Sequence, residues 1–138
     1  MATVIGKNGV PDKVNYQELL KTCVIGCLTV IYDKDYFGEI GMPIIKRRQD
    51  YGLWLQLLKK TEFAHGINKP LAQYRVHNFS LSSNKLVTSR YTWKIFREVE
   101  KLSLLQCMYY FSHYAIRGGL RNKFPRIAVI LGILITVE

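Results

Sequence analysis

The stretch RRQDYGLWLQLLKK, residues 47 to 60, constrains the fold of this chain more than any other. Counted from Asp50, the apolar residues Leu53, Trp54, Leu57 and Leu58 follow at three, four, seven and eight positions, the spacing of one helix face. That pattern predicts a helix over residues 49–60 with a stripe that must be buried, and with Trp54 in the core. Asp50 heads the stripe, although Asp is among the residues least often buried without a partner. From spacing alone the plain reading is a helix cap, a favoured role for Asp. It has no capping box, because Leu53 stands where Glu or Gln would be needed.

Strand signals are sparse around this helix. VIGCLTVIY (24–32) is apolar and β-branched, is closed by Asp33-Lys34-Asp35, and reads as a buried strand. FAHGINKPLAQYRVH (63–77) reads as two short strands about Asn68-Lys69-Pro70. The first fifteen residues are turn-rich, and YQELLKT (16–22) reads as a short helix. From Ser82 a helical pattern places Val87, Tyr91, Ile95, Val99 and Leu102 on one face. A second helix is expected from Ser103 to about Arg117, stopped by Gly118-Gly119. One long strand and a short pair do not make a self-sufficient sheet, which normally needs three or more strands. The pattern is that of an incomplete α/β unit followed by a basic helical pair.

Its 138 residues suggest one domain, and 49% hydrophobic residues argue against disorder. The net charge of +10 is uneven: residues 1–69 carry ten Lys/Arg against seven Asp/Glu, and residues 70–138 carry ten against three. The second half should favour anionic partners. Cys23, Cys27 and Cys107 form no C-x-x-C pair and read as reduced, mostly buried thiols of a cytosolic protein. The opening residues lack the apolar stretch of a signal peptide, so the sequon at Asn78 is discounted. The apolar run IAVILGILITV (127–137) falls short of the roughly 20 residues needed to span a bilayer. A core element and a peripheral anchor both remain open for it. Tyr109, Tyr110, Phe111 and Tyr114 beside Arg117, Arg121, Lys123 and Arg126 fit either a packed helix face or a membrane interface.

In order, IGCLTVIYDKDYFGEIGMP, KRRQDYGLWLQLLKK, AHGINKPLAQYRVHNFSLSSNK and YTWKIFREVEKLSL resemble the C-terminal half of bacterial family 2 glycosyltransferases of the teichuronic acid and surface-polysaccharide type. The likeness covers residues 15–117. It implies an α/β fold that is the C-terminal, acceptor-side part of a GT-A glycosyltransferase: an incomplete sheet with a short hairpin, then a basic helical pair. Residues 1–123 would form that portion and 124–138 a short apolar tail. The nucleotide-binding half with its metal-holding D-x-D motif is not in this sequence. Activity is therefore expected only with that half present, together with a divalent metal, Mg²⁺ or Mn²⁺. Asp33-Lys34-Asp35 has the D-x-D form, but the resemblance places it on the acceptor side, and Asp is common at strand-ending turns.

Asp50 matches the acid that serves the family as general base, with Gln49 in place of the acid before it. Such a base takes the acceptor hydroxyl's proton as that hydroxyl attacks the anomeric carbon with inversion. His77 matches a position that contacts the metal or the diphosphate, and Arg75, two residues away on the same strand face, would bind phosphate. His65 and His113 read as structural or surface residues. The implied partners are a nucleotide-sugar donor, a glycan or lipid-linked acceptor, and a membrane surface at the inner face of the plasma membrane. Nucleic acid is not expected, since no nucleic-acid-binding motif accompanies the basic charge. The alternative is a noncatalytic basic module that binds a membrane or nucleic acid.

Overall fold

The computed structural model describes residues 9–73, 84–133 and 135. Its elements are β1 (Lys13–Val14), α1 (Tyr16–Lys21), a 3-10 turn (Cys27–Thr29), α2 (Lys34–Phe37), α3 (Gln49–Leu58), β2 (Ala64–His65), α4 (Lys85–Lys94), a π turn (Ile95–Val99), α5 (Leu104–Lys123) and α6 (Pro125–Ile130). The described part is thus mostly helical, with one small antiparallel pair.

Helix starts follow side-chain chemistry. Asn15 and Glu18 form a reciprocal capping box on α1, as Ser103 and Gln106 do on α5. Asn84 caps α4 by accepting from the Val87 N–H. The core gathers where α1, α3, the π turn and α5 meet: Leu19, Leu20, Tyr51, Leu55, Ile95, Phe96 and Cys107 are completely buried. The Tyr51 hydroxyl donates to the Leu19 carbonyl at 3.0 Å, so a buried polar group is satisfied across two helices. Trp54 is core, as the stripe predicts.

The π turn has a direct consequence. Its wider ring, closed by Glu100 N–H on the Ile95 carbonyl at 2.9 Å, brings Glu100 inward. There the Glu100 carboxylate accepts from the Tyr16 hydroxyl and pairs with Lys59 Nζ at 2.7 Å. Lys59 is the residue that ends α3. One buried acid therefore ties α1, the C-terminal end of α3 and the π turn together.

Several expectations are corrected. Residues 24–32 are not a buried strand: the backbone is extended at Gly26 and Val30, but the segment forms a 3-10 turn and pairs with no other described segment. Ile31 is 96% exposed. A β-branched run specifies fitness for a sheet, yet a strand needs a partner edge for its backbone groups, and the described residues offer none. Of the two strands expected in 63–77, Ala64–His65 forms. It pairs with Lys13–Val14, in the register Lys13 with His65 and Val14 with Ala64. Residues beyond 73 lie outside the described part up to Asn84.

The expected stop at Gly118-Gly119 is also overturned, because α5 runs on to Lys123. A glycine inside a helix costs only about 1 kcal/mol, which a long helix absorbs. The actual break is Phe124 at φ −134°, ψ 65°, ahead of Pro125. Proline's ring pushes the preceding residue out of helical geometry. Within the tail, α6 packs on α5, with Ala128 buried and Ile127, Val129 and Ile130 open. Among the described residues no helix is long and apolar enough to cross a membrane. Cys107 is buried and Cys23 half-buried as expected, but Cys27 is exposed.

Candidate active site

Asp50 is the second residue of α3, and it is partly exposed while the seven residues Tyr51, Gly52, Leu53, Trp54, Leu55, Leu57 and Leu58 are buried. It is not the helix cap. That position belongs to Arg48, which makes no side-chain capping bond and sits in the left-handed region at φ 61°, ψ 31°. A bulky residue there costs about 1–3 kcal/mol and persists only when its surroundings fix it. The fixing contacts are clear. The Arg48 guanidinium lies over the Tyr51 ring at 4.6 Å and the Tyr114 ring at 5.3 Å. Its Nη1 also donates to the Tyr114 hydroxyl.

This clamp joins the start of α3 to the middle of α5 and settles where Asp50 points from. Burial works against the Arg48 charge, but the adjacent Cys23, Tyr114 and Tyr51 groups outweigh it and keep its pKa above the ordinary value. Burial likewise pushes the Cys23 thiol up, with Arg48 opposing and Asp50 reinforcing the rise. Asp50 also lies in the first turn, where the helix dipole favours a carboxylate.

Chemically, the arrangement offers a partly exposed carboxylate on a rigid helix whose first turn is braced by a cation. That is what a general base requires: a fixed position and access to the proton it removes. Arg48, which fixes this helix start, is the residue that sequence reasoning overlooks. In the run Lys46-Arg47-Arg48 it looks like one more solvated charge, and its partner Tyr114 is 66 positions away.

Arg75 and His77 lie outside the described residues. The Asp33 carboxylate caps α2, accepting from the N–H groups of Asp35 and Tyr36 at 2.9 and 3.2 Å. Among the described residues no three His, Cys, Asp or Glu side chains gather as a metal site. His65 is exposed at the edge of β2, and His113 packs against Tyr109 with ring centroids 4.7 Å apart.

Comparison with known proteins places this geometry in context. The chain is 45% identical, over 105 residues, to a Bacillus subtilis protein named as a teichuronic acid biosynthesis glycosyltransferase, TuaG. That match takes in 76% of the chain and 42% of the relative. The chain is homologous to part of these bacterial glycosyltransferases. Two Escherichia coli relatives, WfgD and WfaP, are named UDP-Glc:alpha-D-GlcNAc-diphosphoundecaprenol beta-1,3-glucosyltransferases. They are 32% and 34% identical over 88% and 83% of the chain, and 48% and 45% of their own lengths. The chain thus spans about half the length of the curated relatives it matches. No family model matches, and no solved structure matches.

Proposed function

We propose that this chain is the acceptor-side half of an inverting, nucleotide-sugar-dependent glycosyltransferase of family 2 and GT-A type. In this reading it transfers a sugar to a glycan or lipid-linked acceptor in surface-polysaccharide synthesis. The observation that carries the reading is Asp50: a partly exposed carboxylate in the first turn of a buried helix, braced by Arg48, in a chain homologous to glycosyltransferases. The acceptor hydroxyl oxygen forms a bond to the anomeric carbon while that carbon's bond to the nucleoside diphosphate breaks. The hydroxyl proton passes to Asp50. Arg75 and His77 would hold the leaving diphosphate. A divalent Mg²⁺ or Mn²⁺, held mainly by the D-x-D half, would neutralise its charge when bound.

The open apolar residues of α5 and α6 beside Arg117, Arg121, Lys123 and Arg126 support a peripheral place on the inner face of the plasma membrane. That is where a lipid-linked acceptor would be met.

The test joins this chain to a donor-binding half and compares it with Asp50→Asn. Asn keeps the shape and removes the basicity, so turnover should fall about 10²–10⁴-fold with an unchanged melting temperature. Near-normal turnover would remove Asp50 from the chemistry and leave the alternative reading, a noncatalytic basic module.

A further inference from the structure

Between α4 and α5 lies a groove of about 590 Å³, lined by Leu86, Val87, Arg90, Trp93 and Phe111 with Asn84 and Ser89 beside them. It is an open surface groove rather than an enclosed cavity. The groove is aromatic on one side, where Trp93 meets Phe111 edge to face at 5.4 Å. Phe111 stacks in turn on Tyr114 at 6.3 Å, and Tyr114 accepts the Arg48 hydrogen bond. Three successive contacts thus connect the groove to the helix start that carries Asp50.

Charge narrows the choice of ligand. Lys85 and Arg90 on α4 and Arg117, Arg121 and Lys123 on α5 are accompanied by no Asp or Glu within either helix, whereas Lys94 pairs with Glu98 at 3.4 Å. Arg90 is exposed and makes no ion pair among the described residues. A purely apolar ligand would gain nothing from this cation, and a free phosphate would gain nothing from Leu86, Val87 or Trp93. Both features together suit an amphiphile with an anionic head joined to a hydrocarbon.

We propose that this groove binds the polyprenyl diphosphate part of a lipid-linked acceptor. The first isoprene units lie against Leu86, Val87, Trp93 and Phe111, and the diphosphate rests on Arg90. The proposal builds on the acceptor-side reading above and adds the place where the lipid is held.

Titration calorimetry of the whole chain with farnesyl diphosphate, farnesol and inorganic pyrophosphate tests it. Farnesyl diphosphate should bind saturably and at least about tenfold more tightly than either fragment, because hydrogen bonds to a charged group reach that scale. Arg90→Ala should bring its affinity down to that of farnesol, and Leu86→Asp should abolish binding. Both residues are exposed, and thermal melts confirm that the variants stay folded. Equal affinity for farnesol and farnesyl diphosphate, no saturable binding, or an unaffected Arg90→Ala variant would each overturn the proposal. Binding is read without turnover. Normal activity in Asp50→Asn would therefore remove the base and leave the groove standing, while failed binding removes the groove and leaves the base.

Discussion

Of the ten residues of α3, seven are buried, whereas the 20 residues of α5 bury Cys107 alone. Both helices carry an apolar pattern, but only α3 is covered on nearly every side. α1 and the π turn close over it, and Glu100 anchors its C-terminal end through Lys59. α5 lends its inner face to the same core, through Cys107 with Tyr110 and Phe111, and leaves Leu104, Leu105, Met108 and Ile116 open. The difference separates two tasks: α3 holds the proposed base, Asp50, on a fixed frame, and α5 presents surface. The first task demands packing from all directions, since a base displaced by a small distance loses its proton partner.

The sharpest way to break this contrast is paired truncation. Leu55→Ala in α3 removes a completely buried side chain and should cost about 2–5 kcal/mol in denaturant unfolding. Leu105→Ala in α5 removes one that is 79% exposed and should fall within about 0.5 kcal/mol of the parent. Equal losses would mean that α5 is covered too.

The anchored end of α3 gives the next effect. Tyr16→Phe deletes the hydroxyl that donates to the buried Glu100 carboxylate and should cost about 1.5–3 kcal/mol, the range for hydrogen bonds to charged groups. Burial, then the Glu100 hydrogen bond and charge, hold the Tyr16 pKa far above its ordinary value. The folded state therefore favours the protonated phenol. Its contribution is complete below the unfolded pKa of about 10 and declines as pH rises beyond it. Melting temperature followed from pH 8 to 11 should fall above pH 10, and less steeply in Tyr16→Phe. A residual fall is expected from Tyr51, whose pKa burial also raises. An unchanged slope would exclude Tyr16 as a source of the alkaline loss.

The smallest effect compares glycines by sign. A Cβ on Gly52 would sit 2.5 Å from Pro43 Cγ, so Gly52→Ala should destabilise by about 1–3 kcal/mol through overpacking despite alanine's better helix propensity. A Cβ on Gly118 meets nothing within 4 Å, and Gly118→Ala should stabilise α5 by up to about 1 kcal/mol. Thermal melts with the same sign for both would refute the difference in crowding.

Much of the site's frame is legible in the residues because helical periodicity is local. The positions Leu53, Trp54, Leu57 and Leu58 were bound to face inward wherever α3 packed, and Asp50 was bound to head that stripe. The short α1, the helical pattern before Leu102 and the helix after Ser103 follow from the same short-range rule. The resemblance that named Asp50 rests on residue order, which also needs no structure.

Tertiary structure decided what depends on distant partners. Arg48 became the left-handed residue before α3 because two rings, one of them 66 positions away, receive its guanidinium. Residues 24–32 have strand composition without strand pairing, because a strand is completed by another segment's backbone rather than by its own side chains. Glu100 was one acid among charges in the sequence. It turned inward when the π turn rotated it toward Tyr16 and Lys59. Spacing fixes which face a residue shares with its neighbours, but the cost of burying a charge can be met only by groups that the fold brings to it.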